Sequence, residues 1–421
     1  MKEYKLGELL EVKHGFAFKK ENYVKKSNIA LVTLANISET NNFKFIADKT
    51  TYYNGQYPES INLYEGDLIM PLTEQVIGLF GNTAFVPKMD NIQFVLNQRV
   101  GKVIPNEKLI DKYFLHFLLS TDLVKKQLEA RANGTKQRNI SPNDVYDVTV
   151  YIPELEEQKK IGLFLYNIER VINNNNAIID NINKVLNDIY NYWFLQYKYP
   201  HKGTITYKHD DTLNIDIPDD WQVKTVKECV SHIKTGLNPR QNFKFNKDGD
   251  INYITVKNLN IDGSADFINC DKIDESAKKI VNNRSHLSKG DILFASISPL
   301  GRCFLLCDEP VDWDINESVF SIRVNDNIIN KEYMYMFLTS NQFIKFAENS
   351  SSGSIFKGIR MNVLENTRMV LPDKETLIKF KNITQNLYEL KNNSFMENYK
   401  LNNSLKYLTS LFINGQIKIE D

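Results

Sequence analysis

Between residues 153 and 199 the apolar positions recur in alternating steps of four and three: Ile161, Leu165, Ile168, Ile172, then Asn175, then Ile179, Ile182, Leu186, Ile189 and Trp193. That spacing is a heptad seam with one polar interruption, at Asn175. Pro153 stands just before the first periodic residue, and Glu154, Glu156 and Glu157 crowd the first turn, where a helix dipole favours acidic side chains. The pattern predicts a helical rod roughly 60 Å long at about 1.5 Å per residue. Such a rod must bury its seam against a partner.

An internal repeat supplies one. Val32-Thr33-Leu34-Ala35-Asn36-Ile37 matches Ile254-Thr255-Val256-Lys257-Asn258-Leu259, and Gly66-Asp67-Leu68-Ile69 matches Gly290-Asp291-Ile292-Leu293. Further on, Phe117-Leu118 matches Phe337-Leu338, and Gly134, Ile140, Asn143 and Pro153 match Gly353, Ile359, Asn362 and Pro372. The matches keep their order with small drifts in offset, as a tandem duplication with loop insertions does. Trp221-Gln222-Val223 reads as the opening of the second copy, opposite Tyr4-Lys5-Leu6.

Each copy runs through short strands punctuated by Gly, Asn and Pro, a helical piece (111–131; 331–348), a Gly-bearing loop, a strand ending at proline, and a long helix. The second long helix, from Lys374 to about Ile413, carries Phe380, Ile383, Leu387, Leu390, then Ser394 and Glu397, then Leu401, Leu405, Leu408 and Phe412. The expected fold is α+β: two duplicated globular domains, each followed by a long helix, the two helices paired as an antiparallel coiled coil. Asn175 and the polar middle of the second helix would then meet and set register. The alternative is that each helix packs on its own domain. The expected boundaries are 1–152 for the first domain, 153–199 for the central helix, 200–217 for a linker, 218–372 for the second domain and 373–415 for the distal helix.

Composition narrows the function. The 421 residues hold 52 basic and 52 acidic side chains, so nucleic-acid binding must come from local patches or be shared with a partner. No apolar run approaches the ~18 residues of a spanning helix, and the charged start MKEYKLGELLEVK is no signal peptide, so a cytoplasmic protein without membrane contact is expected. The cysteines Cys229, Cys270, Cys303 and Cys307 lack zinc-site spacing and read as free thiols; no metal is expected. There is no G-x-G, no phosphate loop, no paired proline of an amino-methylating site and no H-E-x-x-H. A nuclease-like pattern, Pro372-Asp373 with Glu389-Leu390-Lys391, would spread its carboxylates along one helix rather than around a metal.

What remains is loop chemistry at matching places. The first copy offers Thr73, Glu74 and Gln75, then Lys136, Gln137 and Arg138, with Lys19, Lys20 and Asn36 nearby in the chain. The second offers Ser296, Ser298 and Arg302, then Lys357 and Arg360, with Arg240 and Asn258. Gln, Asn, Arg and Glu read base edges, whereas Lys, Ser and Thr suit phosphates. The loops differ between equivalent scaffolds, as two readers of different sequences would.

Pro153, Glu157, Gln158 and Ile161 form a Pro-x-x-x-Glu-Gln-x-x-Ile signature. With the aromatic run Ile189-Tyr190-Asn191-Tyr192-Trp193-Phe194 and the Gly134-Thr135…Ile140 element, the chain resembles the specificity subunit of a type I restriction–modification system. The resemblance covers essentially the whole chain. It implies two target-recognition domains that each read one half of a bipartite double-stranded DNA site. The helices would act as a ruler and dock two copies of a methyltransferase subunit, with restriction and translocase subunits joining. Catalysis, S-adenosylmethionine and ATP would belong to those partners, leaving this chain non-enzymatic and without a cofactor of its own. The second copy departs from the signature, with Thr376-Leu377 in place of Glu157-Gln158. The competing reading is a DNA-binding or coiled-coil adaptor scaffold outside restriction–modification.

Overall fold

The computed structural model describes residues 1–38, 40–75, 77–134, 136–350 and 358–419. The chain forms two compact units, 1–171 with 401–421 and 172–400. Each unit therefore takes one globular domain and a stretch of both long helices.

In the first unit, a four-stranded sheet built on Leu10–His14, Val100–Pro105, Leu68–Pro71 and Ala84–Phe85 lies beside a five-stranded one. The five-stranded sheet contains a parallel pair, Ile29–Val32 with Gln93–Leu96. The N-terminal strand Lys2–Lys5 pairs with Thr149–Ile152, the strand that feeds the first long helix. The second unit repeats this plan: a four-stranded sheet, a smaller sheet with the parallel pair Ile251–Ile254 and Trp313–Ile315, and Gln222–Thr225 against Arg368–Leu371. The duplication extends to local detail. Thr33 and Asn36 close a single 3-10 turn by a reciprocal cap, as do Thr255 and Asn258.

Two expectations need correction. Lys5 pairs with Thr149 and Thr225 with Arg368, so Lys5 and Thr225 are equivalent, and Tyr4-Lys5-Leu6 matches Lys224-Thr225-Val226 rather than 221–223. Both positions lead four-residue helices closed by Glu8 and Glu228. The 200–217 segment is more than a linker. Tyr207–Asp210 and Ile215–Pro218 form a hairpin, turned by Asn214 at φ 54° and by Asp210, which accepts from Thr212 N and Leu213 N. Its strands are four residues each and of mixed polarity, which hides them from a hydropathy pattern.

The first long helix runs from Leu155 to Tyr190 and continues as a π turn through Leu195; the second runs from Lys374 to Ile413. Within each unit they pair antiparallel. In the first unit, Ile161 and Leu165 share a core with Leu405, Leu408 and Phe412, and the rings of Phe164 and Phe412 lie 5.8 Å apart. In the second, Asn175 Nδ2 donates to Asn398 Oδ1 at 3.1 Å, Lys391 Nζ donates to Asn183 Oδ1 at 2.7 Å, and Phe194 meets Phe380 at 4.9 Å. Ile172, Ile179, Ile182 and Leu186 are buried, as the heptad requires, whereas Ile168 and Ile189 are half-buried.

The second helix departs from its expected seam. Ile383 and Leu390 are 47% and 48% exposed, and Leu387 and Leu401 are only half-buried. The buried stripe is instead Leu377, Phe380, Thr384, Tyr388, Lys391 and Asn398. Its polar members are satisfied: the Thr384 hydroxyl donates to the Phe380 carbonyl on its own helix, and Asn398 donates across the pair to the Ile172 carbonyl and Asn176 Oδ1. A hydrogen-bonded Thr, Lys or Asn can hold a seam position that a hydrophobic pattern assigns to its neighbour.

The Glu-Gln signature joins the first helix to its domain. Gln158 is 1% exposed; its amide donates to the carbonyls of Leu109 and Pro153, and its oxygen accepts from Asp111 N, the N-cap of the Lys112–Leu119 helix. The second copy solves the same problem with the roles reversed, because Asn330, the equivalent N-cap, donates to the Leu377 carbonyl. A second tie is unique to the first copy. His116 lies 2.6 Å from Thr83 Oγ1 and 3.2 Å from Glu169 Oε1, with all three side chains buried. The trio resembles a hydrolase triad, yet its burial shuts out substrate and leaves it a helix-to-helix tie.

Candidate nucleic-acid interface

The loops singled out in the first copy converge. Thr73–Glu74 and Arg138–Asn139 form a two-stranded antiparallel ladder, with Arg138 opposite Glu74 and Asn139 opposite Thr73. Glu74 is 1% exposed and pairs with the Arg138 guanidinium, while its second oxygen accepts from Leu79 N and Phe80 N at 3.0 and 3.2 Å. The Thr73 hydroxyl donates to Asn139 Oδ1. Gly134 turns the loop at φ 114°, where a Cβ would sit 2.2 Å from the Gln137 carbonyl, so a larger residue does not fit. The result is a rigid base, Thr73 and Glu74, under an exposed edge of Gln75, Lys136 and Asn139 with Gln137 and Arg138 half-buried.

The second copy brings its loops together at the equivalent place. Ile297 bridges to Gly358, and Ile359 N donates to the Ser296 carbonyl at 2.9 Å. Ser296 is buried and donates to the Ser318 carbonyl. Ser298 and Arg360 are exposed. Arg302 donates to the carbonyls of Pro299, Leu259 and Ile297, so it braces the loop from beneath. Burial lowers its pKa from the usual guanidinium value. A groove lined by Lys234, Thr235, Asn283, Arg284, His286 and Met361, the residue after Arg360, carries the cationic groups of Lys234 and Arg284. Lys357 lies outside the described residues, as do Thr135 and Gly353.

Several sequence candidates prove structural. Asn36 and Asn258 are 6% and 1% exposed. Asn36 accepts from Thr33 N and donates to the Lys44 carbonyl; Asn258 accepts from Thr255 N and donates to the carbonyls of Asp266 and Asn269. Their amides are committed, so neither is free to meet a base. Thr73, Glu74, Ser296 and Arg302 are likewise supports of the loops rather than their outer edge. Lys19, Lys20 and Arg240 are exposed, away from the ladder in sequence. Lys234 and His286 carry no signal in the sequence, because one polar residue among many has no periodicity. The nuclease-like pattern dissolves, since Lys391 is bound to Asn183 and the Asp262 carbonyl. Among the described residues no cluster of His, Cys, Asp and Glu could hold a metal, and no helix is long and apolar enough to cross a membrane.

Each of the duplicated scaffolds thus joins a pair of polar loops to a long helix that pairs with its counterpart. The family profile described as type I restriction modification DNA specificity domain matches the chain twice, over residues 1–184 and 218–407, and the chain belongs to that family. It is similar to the type I restriction enzyme MjaIX specificity subunit of Methanocaldococcus jannaschii, 21% identical over 77% of this chain and 73% of the relative. It is also similar to the EcoBI specificity subunit of Escherichia coli, 25% identical over 86% and 74%. A crystal structure of the type I restriction–modification S subunit from M. genitalium shares the fold at a TM-score of 0.58 and 14% identity, covering 100% of this chain and 96% of that one.

Proposed function

We propose that the chain is the sequence-reading subunit of a type I restriction–modification assembly. Its two domains each read one half of a bipartite DNA target, and its helices set the spacer and recruit the modifying subunits. The observation that carries the reading is the pair of loop ladders: the same place on the same scaffold, held by buried residues, with different exposed side chains in each copy. In the first copy Gln75, Lys136, Gln137, Arg138 and Asn139 face the target; in the second Ser298 and Arg360 do, with the Lys234, Arg284 and His286 groove on phosphate. Chemistry resides in the partners, which supports a non-enzymatic role for this chain.

Replacing Lys136 and Gln137 with alanine should relax or abolish recognition of one half-site while the other is read as before. Sequencing of methylated sites in a host carrying the variant reads the outcome. Unchanged methylation at every site would remove the first ladder from the interface.

A methyltransferase subunit is the expected occupant of a second stripe on the first helix. Ile178, Val185 and Tyr192 fall seven residues apart, outside the seam, and are 37%, 45% and 50% exposed. Apolar residues repeating at heptad spacing on a helix already paired along another face suit a further helical partner. The duplication supports two copies of that partner.

A further inference from the structure

We infer that the second unit carries a socket for an arginine-bearing segment of a partner protein, formed by an aromatic-walled cavity under an acidic rim. The inference stands apart from the DNA reading. The cavity, about 220 Å³, lies between the 306–313 loop and the second long helix. Phe267, Phe304, Trp313 and Tyr399 wall it, and their rings pack mainly edge-on, with Phe267 5.5 Å from Trp313 and 5.6 Å from Tyr399. Asp308, Glu309 and Asp312 stand at the mouth. The volume is below that of pockets for drug-sized ligands and fits a single side chain.

The charge decides what enters. Asp308 accepts from Asn392 Nδ2 at 2.9 Å and Glu309 from Lys289 N at 3.1 Å, which fixes both carboxylates. Among the described residues none of the three rim acids forms an ion pair. The Lys278 amine donates to the Val311 carbonyl on the same loop. Three carboxylates within five residues repel phosphate, so this face is unsuited to DNA. They attract a cation, and faces of Trp and Tyr strengthen the attraction while the rings hold an aliphatic stem. Arginine suits the site better than lysine, because its planar, weakly hydrated head both stacks and bonds a carboxylate. A neighbouring cavity that shares Phe304, Cys307 and Asn392 is lined by Lys391, whose amine disfavours a second cation there.

The first copy lacks the feature. Gly66 N donates to the Val86 carbonyl as Gly290 N does to the Leu306 carbonyl, so the loops align there. After Val86 come Pro87-Lys88-Met89, and after Leu306 come Cys307-Asp308-Glu309. The socket therefore belongs to one copy and takes one partner segment per chain.

The full chain can be titrated with an acetylated Gly-Arg-Gly amide peptide and with the same peptide carrying neutral citrulline. Trp313 is half-buried, whereas Trp193 and Trp221 are 7% and 0% exposed, so a change in tryptophan fluorescence reports this cavity. The arginine peptide should give a saturable change, and citrulline should bind at least tenfold more weakly. The variant Asp308→Asn, Glu309→Gln, Asp312→Asn should also weaken arginine binding at least tenfold. Glu309→Lys alone provides a second, milder test in the same direction. Equal binding of the two peptides, no saturable change at millimolar peptide, undiminished binding by the variants, or displacement of the peptide by duplex DNA would each overturn the inference.

Discussion

At the scale of single residues, the interface divides into side chains that hold the loops and side chains that face outward. Arg138 does both, because its guanidinium neutralises a Glu74 that is 1% exposed. Arg138→Ala leaves that carboxylate buried with only its bonds from Leu79 N and Phe80 N, and should cost on the order of 3 kcal/mol in a urea unfolding series. Lys136→Ala, at an exposed position, should leave the urea midpoint unchanged. Equal midpoints for the two would remove the supporting role assigned to Arg138. Lys391 gives a second residue-scale expectation. Burial, only partly opposed by Asp262 and the thiols of Cys307 and Cys303, pushes its amine down to about 8. Below pH 8 both folded and unfolded chains hold the proton and the burial cost is fully present. As pH rises through 8 the folded state releases it first, so stability climbs by roughly 1 kcal/mol per pH unit. The thiols of Cys229, Cys270, Cys303 and Cys307, all raised by burial, oppose the gain over the same range, because they ionise in the unfolded chain around pH 9 while the folded chain keeps them protonated. Between pH 8 and 9 the thermal midpoint of Lys391→Met should therefore fall more steeply than that of the native chain, and parallel curves would remove the role assigned to Lys391.

Elements show where pattern is sufficient and where it is not. The first helix was legible because most of its pairing positions are Ile and Leu at heptad spacing around Asn175, although Ile168 and Ile189 are half-buried and Gln158 and Glu169 are buried against the first domain. The second was legible as a helix but not in its seam. Thr384, Lys391 and Asn398 occupy buried positions, and their hydrogen bonds cannot be read from one chain's hydropathy. The ladders were legible as loop pairs, through the repeat; which residue of each lies outermost was not, since Glu74 and Gln75 are adjacent polar residues whose difference in exposure has no mark in the sequence. The hairpin at 207–218 escaped for a different reason: four-residue strands of mixed polarity resemble a linker until paired. The exposed stripe on the first helix yields a prediction of its own. Ile178→Asp with Val185→Asp should abolish co-purification with the methyltransferase subunit while leaving helical circular dichroism intact, because both positions are exposed in the chain alone. Retained co-purification would place the docking surface elsewhere.

For the whole molecule, the proposed function turns on the helices as a measure of distance along DNA. Each is continuous, over 36 and 40 residues, and each contributes to both units. Asn175 and Asn176 meet Asn398 through side-chain bonds of 3.1 and 2.9 Å, which marks the register of the pair. Adding or removing four residues in the Asn173–Asn176 region changes the helix by about 6 Å, roughly two base-pair rises, and should change the permitted spacer. Four residues also shift the heptad phase, as a stutter does, and so disturb the seam as well as its length. Inserting seven residues at Asn175 together with seven at Asn398 preserves phase in both helices and lengthens them by about 10 Å, roughly three base-pair rises. The two half-sites should keep their sequences while the spacer between them grows, as read by sequencing methylated sites. A spacer that stays fixed in the phase-preserving variant, with methylation retained, would mean that the helices join the readers without measuring the target.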